Sequence, residues 1–155
     1  LIYGYNRLWA FKMARKTGFN CGMDWSNRFR MSVPVDLKDL ICTIQDFGLV
    51  TYLISSGLSG HPHVTHSKFE IIERSLVFNI GKKSTKNIEQ NPNCSLLWPP
   101  NKSGGYNLIV DGIMEKFEDD AGQWKFHSNS AILHRTAELS SPGAAGNCVS
   151  DCKPV

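Results

Sequence analysis

The stretch Ser75-Leu76-Val77-Phe78-Asn79-Ile80-Gly81-Lys82-Lys83-Ser84-Thr85-Lys86-Asn87-Ile88-Glu89-Gln90-Asn91-Pro92 carries the reading of the whole chain. Leu76, Val77, Phe78 and Ile80 make a short apolar strand, Gly81 turns it, and a short helix follows that Asn91 and Pro92 close. A strand that ends in Gly and enters a helix rich in Ser and Thr leaves backbone N–H groups unpaired at the helix start, where the dipole also favours an anion. Lys82, Lys83 and Lys86, with the hydroxyls of Ser84 and Thr85, surround that point, so the turn is a candidate phosphate site. A plainer reading stays open, a capped helix with a solvated basic turn, because neither a Walker loop nor a GxGxxG is present.

Upstream of this stretch the pattern predicts a helix from Pro34, capped by Asp36. Leu37, Leu40, Ile41 and Ile44 fall on one face of it, and it ends near Phe47-Gly48. Residues 49–55 read as a strand rich in β-branched and aromatic side chains. A turn built on Ser56, Gly57, Ser59 and Gly60 returns the chain as a second strand over 61–67. A third extended run, 69–80, is broken at Glu73-Arg74-Ser75 and leads into the lysine-rich turn.

Downstream, 94–98 is a strand stopped by Pro99-Pro100, and 106–117 is a long strand in which Gly112 predicts a bulge. Strands of this length with only short helices between them point to an antiparallel barrel rather than a doubly wound parallel sheet.

A chain of 155 residues fits one domain with a core of its own. No apolar run reaches the roughly 18 residues that a membrane-spanning helix needs, and the chain reads as soluble. The net charge of +3 is unevenly placed. Residues 1–30 hold six basic residues against Asp24 alone, which leaves eleven basic and thirteen acidic residues beyond them. A body that is mildly acidic argues against a nucleic-acid-binding barrel, whose basic stripe would lie on the folded domain.

Five cysteines, Cys21, Cys42, Cys94, Cys148 and Cys152, are too few and too scattered for a disulfide scaffold, and a reducing, cytoplasmic compartment is the simpler expectation. The Asn-x-Ser triplets at Asn93 and Asn101 are read as chance, with Cys94 and Ser95 expected in a buried strand.

The motifs Gly60-His61-Pro62-His63-Val64, Asn79 through Asn87, Asn91-Pro92, Ser95-Leu96-Leu97-Trp98-Pro99-Pro100, Gly105 through Gly112 and Ala131-Ile132-Leu133-His134-Arg135 are then met in order. Together they resemble the small pyridoxamine 5'-phosphate oxidase-related proteins of the flavin-binding split-barrel class. The resemblance spans about residues 33–155. It implies a six-stranded antiparallel split β-barrel with a few short helices, which dimerises and holds a flavin-type cofactor in a groove at the subunit interface.

Residue by residue, the resemblance places phosphate contacts at Lys82, Lys83, Ser84, Thr85, Lys86 and Asn87. It places the lining of the ring or ribityl chain at His61, His63, Val64 and Thr65. One departure stands out: many members carry Lys or Arg three residues before the Asn, where this chain has Ser84, so Lys83 or Lys86 would have to supply the charge. The implied organisation is an atypical extension over 1–30, a split-barrel domain over 31–138 and a flexible tail with a CxxxC over 139–155. For the extension three readings stand: a targeting segment, a helical arm near Leu8 to Lys16, or, favoured, translated sequence ahead of a start at Met31.

Side chains with chemistry have two readings each. His61 and His63 share one strand face and His66 the other, so the first two line a cofactor or simply face solvent; as a metal pair they lack a third ligand. Trp98 packs in the core or covers a ring. His134-Arg135 reaches a phosphate or forms a surface pair. Cys148 and Cys152 match neither CxxC redox spacing nor a zinc pattern.

No Ser/His/Asp order, HExxH or paired carboxylate is present, which agrees with chemistry carried by a cofactor. Catalytic residues are therefore unassigned. The expected function is an FMN- or deazaflavin F420-dependent oxidoreductase, a homodimer passing hydride to or from a small organic substrate. The alternative is a non-catalytic module that stores or senses flavin or haem.

Overall fold

The computed structural model describes residues 31–117 and 122–135. The order of elements is β1 (Ser32–Pro34), a 3-10 turn (Leu37–Asp39), α1 (Leu40–Phe47), β2 (Val50–Ser56), β3 (Pro62–Ile72), β4 (Ser75–Asn79), α2 (Lys82–Gln90), β5 (Asn93–Trp98), β6 (Asn107–Lys116) and β7 (Gln123–His134). Neighbours run β7-β4-β3-β2-β5-β6, and β6 pairs again with β7, so six antiparallel strands close into a barrel. β1 adds a short seventh strand along the end of β7. This is the six-stranded antiparallel barrel with short helices expected from the sequence. The expectations for residues 1–30 and for the tail with Cys148 and Cys152 lie outside the described residues.

Alternation along each strand sets the two faces of the barrel. Leu53, Phe69, Phe78, Leu96, Leu108 and Val110 point inward and are buried. Trp98 joins them, edge-on to Phe69 at 5.7 Å between ring centroids, and its indole N–H donates to the Gly48 carbonyl at 3.0 Å. The core reading of Trp98 therefore holds. The helices close the barrel ends, with Leu40 and Ile44 of α1 and Ile88 of α2 buried in the same apolar cluster.

Several local expectations change. Leu37 is 41 % exposed, because the first turn is 3-10 rather than α and rotates it off the face shared by Leu40 and Ile44. Asp36 caps that turn as expected, its carboxylate accepting from the Lys38 N–H at 3.0 Å. Residues 61–67 and 69–72 do not belong to separate strands. β3 is one strand of 11 residues that pairs with β2 through Lys68 and with β4 from Phe69 onward.

β7, a strand of 12 residues, had no clear sequence signal, since Ser128, Asn129 and Ser130 interrupt its apolar alternation. The interruption is structural. Asp111 pairs with Ser130 and Gly112 with Ser128, so the extra residue is Asn129 of β7, and the bulge expected in the strand of Gly112 lies instead on the strand opposite it. Any side chain at 112 would strike the His127 carbonyl and lie 2.6 Å from the Phe126 ring, which requires Gly there.

Candidate functional site

Helix α2 is amphipathic at one-turn spacing. Ser84, Asn87 and Ile88 face the barrel and are buried, while Lys82, Lys83 and Lys86 stand in solvent. Gly81 is its N-cap and offers no side chain to the first-turn N–H groups, and no other side chain among the described residues caps them. None of the three lysines forms an ion pair with a described residue. Three exposed lysines thus lie on the first two turns of the helix, where the N-terminal dipole also favours an anion.

The inner face of β3 meets that helix. Thr65 Oγ1 lies 3.3 Å from Ser67 Oγ and 3.5 Å from Ser84 Oγ, a row of hydroxyls linking the strand to the first turn of α2. Ser84 is 1 % exposed. A charge at this position would be buried against Thr65 and Ser67. Asn87 also turns inward, its Nδ2 donating to Ser55 Oγ at 3.3 Å.

The predicted site residues therefore divide. His63 and Thr65 lie on the β3 face that carries Ser67, and Thr65 reaches Ser84. His61 precedes β3 and is exposed. Val64 is 55 % exposed on the opposite face of β3 and is not brought to the turn. Neither His61 nor His63 is held by a side-chain hydrogen bond among the described residues, whereas His66, on the outer face as expected, packs on the Tyr52 ring at 4.9 Å between centroids. His134 shares a hydrogen with Ser32 Oγ at 2.9 Å, and the Arg135 guanidinium lies 5.2 Å from the Tyr106 ring centre. That pair is tied to β1 and to Tyr106.

On the outer face, cross-strand neighbours set Tyr52, Leu97, Ile109 and Ile132 in one apolar row over β2, β5, β6 and β7. Sequence reasoning did not single out this row, whose signal is the outward half of the alternation. Beside it Asp111 stands on the outer face, while Cys94, paired with Gly112, is buried on the inner one. The Cys94 thiol is pushed up to about 12 by burial and then by the Asp111 charge, so it stays protonated at neutral pH. Cys94 is buried in its strand as expected, while Ser95 is on the outer face and Asn93 and Asn101 are exposed.

Among the described residues no helix is long and apolar enough to cross a membrane, and no three His, Cys, Asp or Glu side chains cluster to hold a metal.

The barrel is similar in fold to those of solved split-barrel proteins. A protein of Listeria innocua named for pyridoxamine 5'-phosphate oxidase superposes with a TM-score of 0.50 at 19% identity, over 63% of this chain and 98% of its own. The FAD-binding protein of Mycobacterium smegmatis gives 0.52 at 13% identity over 68% and 99%, and the haem storage protein of Vibrio cholerae 0.51 at 12% over 65% and 96%. At these identities the likeness defines the fold.

The nearer kinship is by sequence. Uncharacterized proteins of Mycobacterium bovis and Mycobacterium tuberculosis are each 34% identical over 134 residues, 76% of this chain and 92% of theirs, and the chain belongs to their family. No family model matches it.

Proposed function

We propose that the chain is a homodimeric oxidoreductase that binds FMN, or the deazaflavin F420 in its place, and passes a hydride between that cofactor and a small organic substrate. The observation that carries the reading is the open start of α2. Lys82, Lys83 and Lys86 lie on its first two turns without ion-pair partners among the described residues, and the hydroxyls of Thr65, Ser67 and Ser84 lie behind it. That donor set fits a phosphate monoester: backbone N–H groups and ammonium groups donate, and nothing among these residues offers a competing negative charge.

When bound, the cofactor supplies hydride chemistry at its own ring. The chain's part is to neutralise and anchor the phosphate with the lysines, and to line the cofactor with Thr65 and His63. Val64, on the outer face of β3, would meet a cofactor only where a second subunit closes over that face. The apolar row of Tyr52, Leu97, Ile109 and Ile132 supports such a dimer, since it gives a second copy a surface to cover.

A second reading, a haem-binding or storage module, is favoured by one observation. His61 and His63 have no side-chain hydrogen bond among the described residues, so their ring nitrogens would be the groups to hold a haem iron.

The two readings separate in an absorption spectrum of the purified protein, taken before and after adding FMN, F420 or haem. Flavin-type bands that persist through gel filtration support the first. Soret-band formation with haem, lost in His61→Ala/His63→Ala, supports the second. A protein that takes up none of the three contradicts both.

A further inference from the structure

A groove of about 470 Å³ crosses the outer face where β2, β5, β6 and β7 lie side by side, and it contains none of the lysines or histidines discussed above. Its size is within the range of about 300–1,000 Å³ usual for small-molecule sites. Among the described residues that line it, Asp111 bears the only formal charge; the other polar lining is serine and asparagine, with Ile54 and Pro62 as an apolar floor.

Two features give the groove a built character. The first is the fixed carboxylate. Ser95 on β5 donates to Asp111 Oδ1 at 2.5 Å, and Ser130 on β7 donates to Oδ2 at 3.5 Å, so strands on both sides hold its orientation. No described cation lies in ion-pair reach of it.

The second is the β7 bulge, which lifts Asn129 out of the ladder and sets it in the groove with its carboxamide unengaged by any described residue. Bulges commonly re-aim a side chain in this way beside binding sites. The facing wall is already organised: Asn91 accepts from Asn93 Nδ2 at 2.9 Å and donates to Ser56 Oγ at 3.3 Å.

We infer that this groove binds a neutral, hydroxyl-rich ligand of about monosaccharide size. A carboxylate only accepts hydrogen bonds, so the ligand must donate to Asp111, and carboxamides both donate and accept, which matches hydroxyl groups. An anion is opposed by Asp111 with no basic residue to offset it. An organic cation would satisfy Asp111 and leave the carboxamides unmatched. The lysine turn contributes nothing to the groove, but the groove adjoins the row that a second copy would cover, since Ile54, Ser95 and Asp111 lie two residues along their strands from Tyr52, Leu97 and Ile109.

The test is a ¹H–¹⁵N spectrum of the full chain titrated separately with glucose, myo-inositol and xylitol, with n-butylammonium and inorganic phosphate as controls. The expected result is saturable shifts of the Asn129 and Asn93 side-chain amides with at least one of the three polyols. Affinity should fall about ten-fold or more in Asp111→Ala, as loss of a charge-assisted hydrogen bond implies, and also fall in Asn129→Ala. Asn129 is an exposed bulge residue, so its variant carries the comparison if Asp111→Ala does not fold. The inference is overturned by absence of saturable shifts with all three polyols, by affinities unchanged in Asn129→Ala, or by binding of n-butylammonium or phosphate alone.

Discussion

Thr65 Oγ1 and Ser84 Oγ lie 3.5 Å apart, and this contact joins the strand β3 to the first turn of α2. It puts a hydroxyl, rather than a charge, at the position behind the helix start, with Lys82, Lys83 and Lys86 on the solvent side.

Ser84→Lys, which would restore the basic residue of the related pattern, is therefore expected to harm the protein. An ammonium group buried against Thr65 and Ser67 costs about 3 kcal/mol or more in desolvation and overpacking. Urea unfolding measures the loss, and FMN affinity should not rise in compensation. A variant as stable as the parent would show that position 84 has an outlet to solvent.

Gly112→Ala should destabilise by about 1–3 kcal/mol, since the added methyl group meets the His127 carbonyl and the Phe126 ring. Calorimetric Tm is the readout. Gly81→Ala, where a methyl group meets nothing, serves as the contrast.

The hairpin between β3 and β4 turns on Glu73 and Arg74, with φ of 48° and 66°. Two successive left-handed residues without glycine are strained, and Asn-Gly is the preferred pair for such a turn. Glu73→Asn with Arg74→Gly is expected to raise stability by about 1 kcal/mol, net of the hydrogen bond from Arg74 Nη2 to the Lys38 carbonyl at 3.1 Å. A fall in Tm would mean that this hydrogen bond outweighs the backbone strain.

Cys94 should make stability fall as pH rises. Its thiol ionises from 9.0 in the unfolded chain but only at about 12 in the folded one. Between those values the folded state holds the proton that the unfolded state releases. Unfolding is therefore favoured by up to about 1.4 kcal/mol per pH unit from this group, and nothing is contributed below pH 9. The difference between parent and Cys94→Ala in urea unfolding at pH 8 and pH 10 isolates it; equal slopes would contradict the burial of the thiol.

The barrel was legible because short runs rich in β-branched and aromatic residues, such as 49–55, are punctuated by Gly-, Pro- and Asn-rich turns with only short helices between them. β7 was not legible, because its bulge puts Ser128, Asn129 and Ser130 where alternation would be read, and only closure against β6 shows why. The lysine turn was visible as composition and spacing. Which of its residues face solvent was not, since Ser84 and Asn87 take the inward face through contacts with Thr65 and Ser55, 19 and 32 residues away in sequence. The groove around Asp111 had no linear signature at all, being assembled from cross-strand neighbours on β2, β5, β6 and β7.

The most direct test of the central claim is FMN affinity, measured by fluorescence quenching, for the parent chain and for Lys82→Ala/Lys83→Ala. Both lysines are exposed and form no ion pair among the described residues, so the variant should fold with an unchanged Tm. Loss of two charge-assisted contacts predicts affinity weakened about 100-fold, with the deficit narrowing as salt is added. Equal affinity in parent and variant, or no FMN binding by either, would contradict the assignment of this turn as the phosphate site.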